Sequence, residues 1–367
     1  MLTIKRIIML EKYLEDLESR IDADQENKLI GYWRKFLHNE IKEELFIPKR
    51  EYTAQPTIEF PDILGNKAMK DMDLMMIREL KGCSKLLTNN EGSLLNVRAN
   101  YSVGILPSMF GADIFYSDDK LNMMPITKKV SPEQISKILQ KGIPDLNSGL
   151  IPNVFEFGHY FNELIADYPK VKKYIHHYHP DFQGPLDVVE LLWGTELFTD
   201  VLLEPQKVKD LLELVTDTYI MLMKKWYKEF PSYYEDMAVH WGLMMPGHVM
   251  IRDDSATNFS PDLVKELVLP YNQRILNEFN GGSIHFCGNG THFIEDFSNM
   301  ENMWGIQLSQ PDYNDMETIF KYTVDKKIKL LGLRQDGIEQ AIQQKRPLKG
   351  QIHTGEFIFH TTSAKKG

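Results

Sequence analysis

The sequence predicts a (β/α)₈ barrel with an N-terminal helical extension, and three observations support this fold class. From residue 96 onward, short β-prone segments alternate with helical segments at intervals of about 25 residues, which is typical of a parallel sheet with helical crossovers. This part covers about 270 residues, close to the roughly 250 of a typical barrel. The rival doubly wound fold would carry a G-x-G-x-x-G loop after its first strand, and the chain contains none.

The first 95 residues are assigned to the helical extension, and residues 96–367 to the barrel. Apolar residues three or four positions apart predict a first helix, at Ile7, Leu10, Leu14, Leu17 and Ile21. A second helix follows through Trp33 and Phe36, and a methionine-rich helix covers residues 67–81. Methionines at this spacing favour packing over chemistry, so the extension carries no predicted site residue.

The barrel part consists of β-prone segments with helical segments between most of them. The β-prone segments are residues 101–107, 174–180, 237–241, 282–288, 304–308, 328–333 and 350–354. The helical segments are residues 205–228, 261–279, 292–300, 315–326 and 337–345. Ser260 followed by Pro261 is a favourable helix start, and Asn314 is a candidate N-cap for the next-to-last helix.

The composition is that of an ordinary globular protein, with 43% hydrophobic and 26% charged residues. A formal net charge of −10 argues against non-specific nucleic-acid binding, which needs a basic surface. The two cysteines, Cys83 and Cys287, do not suggest a disulfide scaffold. No apolar run approaches the roughly 20 residues that span a bilayer, and the N-terminal apolar stretch is too short for a signal peptide. The expectation is a cytoplasmic enzyme without a membrane partner.

The strongest chemical signal lies in residues 282–288, whose sequence is G-S-I-H-F-C-G. Side chains two positions apart in a strand point to the same side, so His285 and Cys287 should project together. An imidazole and a thiol at the end of a strand can bind zinc or serve a nucleophilic site. The alternative is a buried cysteine beside a hydrogen-bonded histidine.

Polar side chains recur where other predicted strands end, which is where barrel enzymes place their active sites. They are His179 and Gln183, His240 and Trp241, Gln310 and Asp312, Arg334 and Asp336, and His353 and Glu356. The loop after His240 adds His248, Arg252, Asp253 and Asp254. Arg252 could form a surface ion pair with the neighbouring carboxylates or hold a substrate carboxylate in a two-pronged grip. The concentration of these residues indicates a site but not its reaction.

A catalytic zinc normally has three protein ligands and one open position. His285 and Cys287 would supply two, and thiolate with imidazole favours zinc over magnesium or calcium. The candidates for the third ligand are Glu356, His353, His240 and His360.

Several of these segments together resemble the uroporphyrinogen decarboxylase superfamily, and most closely its branch of cobalamin-dependent methyltransferases. The similar segments are His240-Trp241-Gly242, Pro246-Gly247, Arg252-Asp253-Asp254-Ser255, Ser260-Pro261, Pro270-Tyr271 and Ile284-His285-Phe286-Cys287-Gly288, together with Ile105-Leu106-Pro107-Ser108, Phe110-Gly111 and Asp181-Phe182-Gln183-Gly184-Pro185. The similarity covers residues 95–360, and the family fold is a (β/α)₈ barrel.

The resemblance implies a zinc-dependent methyl transfer. In the methyltransferase branch, a His-x-Cys pair and a late cysteine bind zinc, which activates a thiol that accepts a methyl group from a corrinoid. His285 and Cys287 match the pair, whereas the late region reads His353-Thr354-Gly355-Glu356, so Glu356, or alternatively His353, is assigned as the third ligand. The N-terminal Arg-Gln-Ala-Gly-Arg segment of the decarboxylases is missing.

The predicted function is therefore methyl transfer between a small molecule or corrinoid and a thiol. Arg252, Asp254 and His240 are assigned to catalysis, and a further set to substrate binding: Gln183, Trp241, His179 and Arg334. Two alternatives remain, a decarboxylase acting on a carboxylated substrate and a non-catalytic partner in a corrinoid complex. The expected partners are a small-molecule substrate and a corrinoid protein, and homodimer formation is left open.

Overall fold

The computed structural model describes residues 2–117, 120 and 123–355 of the 367-residue chain. Glu356 and His360, two of the predicted ligand candidates, lie outside the described residues. The α-helices are α1 (Leu2–Arg20), α2 (Ala23–Leu37), α3 (Gly65–Lys70), α4 (Met72–Thr88), α5 (Ile105–Met109), α6 (Pro132–Lys141), α7 (Ile151–Leu164), α8 (Pro169–Tyr174), α9 (Pro185–Trp193), α10 (Leu197–Leu203), α11 (Pro205–Glu229), α12 (Pro261–Leu267), α13 (Leu269–Glu278), α14 (Ile294–Ser298), α15 (Met316–Tyr322) and α16 (Glu339–Gln343). The strands are β1 (Leu45–Phe46), β2 (Asn96–Val97), β3 (Ile114–Phe115), β4 (Ile126–Thr127), β5 (His176–His177), β6 (Met237–His240), β7 (Leu243–Pro246), β8 (Val249–Arg252), β9 (Gly282–Phe286), β10 (Met303–Leu308), β11 (Lys329–Leu330) and β12 (Ile352–His353).

The main sheet consists of six parallel strands in the order β1-β12-β11-β10-β9-β8. Every residue of β8 and β9 is buried, as expected of a parallel sheet that is covered on both sides. Strands β2 and β5 form a second, separate parallel pair. The chain after β5 reaches the end of β8, because the Gly184 amide donates to the Arg252 carbonyl at 2.8 Å.

The prediction of a barrel is confirmed for the parallel sheet and for the alternation of strands with helices. Among the described residues, however, the strand pairings do not run from β1 back to β2, so they do not trace a closed ring of eight strands. The predicted strand at residues 237–241 is wrong as a member of the parallel sheet. Strand β6 pairs antiparallel with β7 through a two-residue turn, in which Trp241 and Gly242 have φ of +52° and +75°.

Most predicted helices are present, with corrections that have local causes. The helix predicted at 205–228 is α11, and Ser260 caps α12 by accepting the Leu263 amide at 3.4 Å. The segment predicted as one helix at 261–279 forms two, α12 and α13, with Pro270 in the first turn of the second. The β-prone segment at 101–107 is helical instead, because Ser102 turns the chain with φ of +64° before α5 begins.

The N-terminal part is packed against the main sheet. Strand β1 pairs with β12, and Phe46 lies in one apolar cluster with Trp33 and Phe36 of α2 and with residues of β6 and β7. The Trp33 ring is 4.5 Å from the ring of His353. The division at residue 95 stays a prediction. None of the helices in the described part of the chain has the length and hydrophobicity to cross a bilayer.

Candidate metal centre

Three neighbouring strands carry the candidate site in two successive rows. The strand register places Arg252 of β8 and Gln307 of β10 on either side of His285. Asp254 lies two residues after Arg252, and Cys287 lies two residues after His285, at the carboxyl ends of β8 and β9. The parallel pairing of β8 with β9 brings the two strand ends together, and Asp254, with φ of −62° and ψ of −37°, precedes the 3-10 helix Ser255–Asn258.

Asp254, His285 and Cys287 converge at this edge. One potential ligand atom from each lies within 4.8 Å of the others, and no other group of this kind occurs among the described residues. His285 Nε2 is 3.5 Å from Cys287 Sγ and 3.5 Å from Asp254 Oδ1. Around a tetrahedral zinc, bond lengths of about 2.0–2.3 Å place donor atoms about 3.3–3.8 Å apart, so these distances fit such an ion.

The orientation of His285 suits metal binding. Its Nδ1 atom contacts both oxygens of Gln307, the side-chain Oε1 and the backbone carbonyl, the latter at 3.2 Å. A proton on Nδ1 leaves the lone pair of Nε2 pointing toward Cys287 and Asp254. Burial lowers the pKa of His285, which favours the neutral ring that a metal requires.

Cys287 is half-buried next to Asp254. Burial, with the charge of Asp254, raises the pKa of the Cys287 thiol to about 12, while a hydrogen bond from Ser309 opposes the shift. The Cys287 amide donates to Asp254 Oδ1 at 2.6 Å, which connects the two candidate ligands. Without a cation the thiol is protonated at neutral pH, and a bound metal would favour the thiolate.

The buried carboxylate of Asp187 fixes the backbone of Asp254. Asp187 accepts the backbone amides of Asp254 and Ser255 at 3.1 and 2.7 Å. Burial and the charges of Asp254 and Asp253 raise the pKa of Asp187 well above its usual range. The adjacent Asp253 is buried against Asn272, and burial raises the pKa of Asp253 to about 7. The Asp254 side chain itself remains 45% exposed and can approach an ion.

A second polar cluster borders the metal ligands. Arg252 contacts Asp181, its Nη2 donates to His240 Nε2 at 3.0 Å, and its guanidinium lies 4.5 Å from the Trp241 ring centre. Gln183 donates to the same Asp181 carboxylate. Burial lowers the pKa of His240 well below its usual range, so this ring is a neutral acceptor for Arg252. Arg252 is thus already paired inside the protein.

Two predicted substrate-binding residues are placed differently. His179 is saturated, because Nδ1 donates to the Pro180 carbonyl and Nε2 accepts the Met250 amide. Arg334 is exposed and contacts Asp336 and Asp312. Their substrate roles stay predictions.

The other predicted residues also have assigned partners. His248 contacts the Tyr234 carbonyl at 3.2 Å. His353 accepts the Gly332 amide at Nδ1, outside the group of three ligand atoms. Asn314 does not cap α15; it binds the Gly290 amide and the Gly288 carbonyl, and so holds the loop after Cys287.

The sequence reasoning missed three contributions to this site. Asp254 was assigned to catalysis rather than to the ligand set, and Gln307 and Asp187 were not assigned at all. The available signal was the matching spacing of Arg252-x-Asp254 and His285-x-Cys287, at the ends of what prove to be adjacent strands. Gln307 and Asp187 require the strand register and the tertiary contacts.

Comparisons with known proteins address the fold. No protein-family model matches the chain, and no curated protein matches its sequence. A solved structure of a methyltransferase from Methanosarcina mazei is similar, with a TM-score of 0.56 and 16% sequence identity over 89% of this chain and 92% of that chain. The two proteins share a fold.

Proposed function

We propose that this protein is a zinc-dependent methyltransferase that resembles the methyltransferase branch of the uroporphyrinogen decarboxylase superfamily. The convergence of Asp254, His285 and Cys287 at the end of two parallel strands carries the proposal. The fold shared with a methyltransferase and the nitrogen, sulfur and oxygen donors support it. Asp254 takes the ligand role that the sequence assigned to Glu356.

The proposed reaction moves a methyl group from a methylated small molecule or corrinoid to a thiol. The new bond joins carbon to sulfur, the bond between carbon and the donor breaks, its electron pair stays with the donor, and the thiol proton passes to solvent. Zinc bound by the three residues would lower the pKa of the acceptor thiol and keep it as a thiolate near neutral pH.

Residues around the ligands would position the substrate. Trp241 provides an aromatic wall beside His285, with ring centres 5.1 Å apart. Gln183 and Arg252 both engage Asp181, which also contacts Arg98 at 3.3 Å, so a polar substrate group would meet an arginine that already has a carboxylate partner. This pairing gives no added support to the decarboxylase alternative, which would require Arg252 to bind a substrate carboxylate.

Zinc content tests the metal site. Wild-type protein purified without chelators should contain zinc in a stoichiometric amount, and Cys287→Ser and Asp254→Asn should lose it. Cys83→Ser is the matched control, because Cys83 is buried in α4 with its thiol bonded to the Asn96 carbonyl. Elemental analysis by mass spectrometry gives the stoichiometry. A metal-free protein with full activity would rule the proposal out.

Product analysis tests the reaction. Zinc-loaded protein with methylcobalamin and a panel of small thiols should yield the methyl thioether, detected by mass spectrometry, together with the spectral change of the demethylated corrinoid. Cys287→Ser should abolish the product. A zinc-loaded protein that yields no thioether from any methyl donor would leave the metal site intact but overturn methyl transfer.

A further inference from the structure

Gln307 lies beside His285 in the main sheet, and only one of its two side-chain polar atoms has a hydrogen-bond partner among the described residues. Its side chain has no exposed surface, and the register pairs the two residues across β9 and β10. Gln307 Oε1 accepts from His285 Nδ1, whereas Nε2 is buried without a hydrogen-bond partner among the described residues. The one side-chain hydrogen bond of this buried amide is therefore the bond to the outer nitrogen of His285.

We propose that Gln307 is the positioning residue of the metal centre, and that it fixes the ring and tautomer of His285 so that Nε2 faces Cys287 and Asp254. This inference rests on the proposed metal site. The acceptor on Nδ1 decides the tautomer, because a neutral imidazole carries one proton and the other nitrogen then offers a lone pair. The Gln307 backbone carbonyl, 3.2 Å from Nδ1, is a weaker second acceptor.

Two substitutions of Gln307 should change zinc affinity in opposite directions. Acceptors on the outer nitrogen of a ligating histidine raise its basicity, and their loss typically reduces metal affinity 10- to 100-fold. In Gln307→Met the backbone carbonyl remains, so zinc affinity should fall by about tenfold, at the lower end of that range. In Gln307→Glu the charged acceptor should strengthen zinc binding, although burying the charge lowers thermal stability.

The experiment measures zinc dissociation constants of the full chain by competition with a chromophoric chelator. Gln351→Met is the matched control, since Gln351 is also buried with only its Nε2 partnered, to Asn39 and the Lys349 carbonyl. This control should lose stability without changing zinc affinity. In parallel, NMR of metal-free, histidine-labelled protein follows the His285 Nδ1 proton, assigned with His285→Asn. Its resonance should move upfield in Gln307→Met and downfield in Gln307→Glu.

The outcomes separate this inference from the proposed function. Unchanged zinc affinity in both Gln307 variants, or equal weakening in both, would overturn the positioning role while leaving the metal site standing. A wild-type protein that binds no zinc would overturn the metal site, and the Nδ1 resonance in metal-free protein would still decide whether Gln307 holds His285. Should Gln307→Met fail to fold, the affinity and resonance of Gln307→Glu decide the question.

Discussion

Trp241 is held in a backbone conformation that bulky residues rarely adopt. With φ of +52° it occupies the first turn position between β6 and β7, where asparagine or glycine is usual. The ring lies over the Arg252 guanidinium and edge-on to His285. Strain of this kind persists where the surrounding structure uses the side chain, and here the turn directs the ring to the edge of the candidate metal site.

Replacement of Trp241 separates backbone strain from loss of the ring. Trp241→Ala and Trp241→Gly remove the same contacts, but only glycine adopts positive φ without strain, so the glycine variant should be more stable by about 1 kcal/mol. Urea unfolding measures the difference. The same pair at Trp193, where φ is −88° at a helix end, should give the reverse order. Equal stabilities of the two Trp241 variants would contradict a strained turn.

At the scale of the element, strand β5 sets two adjacent histidines in different surroundings. His176 contacts the Leu95 carbonyl and the Tyr234 hydroxyl. His177 packs among the rings of Phe157, Phe161 and Trp226, and both of its ring nitrogens lack hydrogen-bond partners in the described part of the chain. Burial lowers the pKa of His177 to about 3, so the folded protein holds this ring neutral.

The aromatic environment of His177 predicts loss of stability in acid. Its folded pKa lies below the unfolded value of 6.5, so its contribution is complete above pH 6.5 and falls as pH decreases toward 3. From pH 7 to pH 5, His177→Phe should therefore gain about 2 kcal/mol relative to wild type. Urea unfolding at both pH values measures this. Phe161→Leu, in the same cluster, should lower stability equally at both, and a pH-independent effect of His177→Phe would refute the prediction.

The local sequence pattern predicted some strands and site residues correctly but not others. Alternation within 282–288 predicted β9 and the shared direction of His285 and Cys287, because both follow from strand geometry alone. The hairpin of β6 and β7 was missed, since its turn contains Trp241 rather than the usual asparagine. Asp254 could not be assigned as a ligand from sequence, because its proximity to His285 depends on which strand lies beside β9.

At the scale of the whole molecule, the N-terminal part and the last described strand stabilise each other. Leu45 pairs with Ile352 and Phe46 with His353, so β1 covers the edge of β12. Within the N-terminal part, the buried Arg50 binds Glu26 of α2, with Nη2 2.9 Å from Glu26 Oε2. Sequence reasoning assigned the region as a separate helical extension, because a two-residue strand carries no periodic signal.

A shortened chain tests this dependence. A chain that begins at residue 48 lacks α1, α2 and β1, which exposes the edge of β12 and removes Trp33 and Phe36 from their apolar cluster. Thermal unfolding followed by circular dichroism should show no cooperative transition. In the full chain, Trp33→Ala should lower stability by about 3–5 kcal/mol while cooperativity is retained. If the shortened chain unfolds cooperatively near the wild-type midpoint, residues 1–47 are dispensable for the fold.

The three proposed ligands have one further property in common: they lie in a single continuous stretch of chain, from Asp254 after β8 to Cys287 after β9. Deletion or exchange of this one stretch would remove or transfer the complete donor set. The residues proposed to hold substrate, such as Gln183 and Trp241, come from other parts of the chain. Transfer of a working metal site would therefore also require Asp187 and Gln307, which hold Asp254 and His285 and lie outside this stretch.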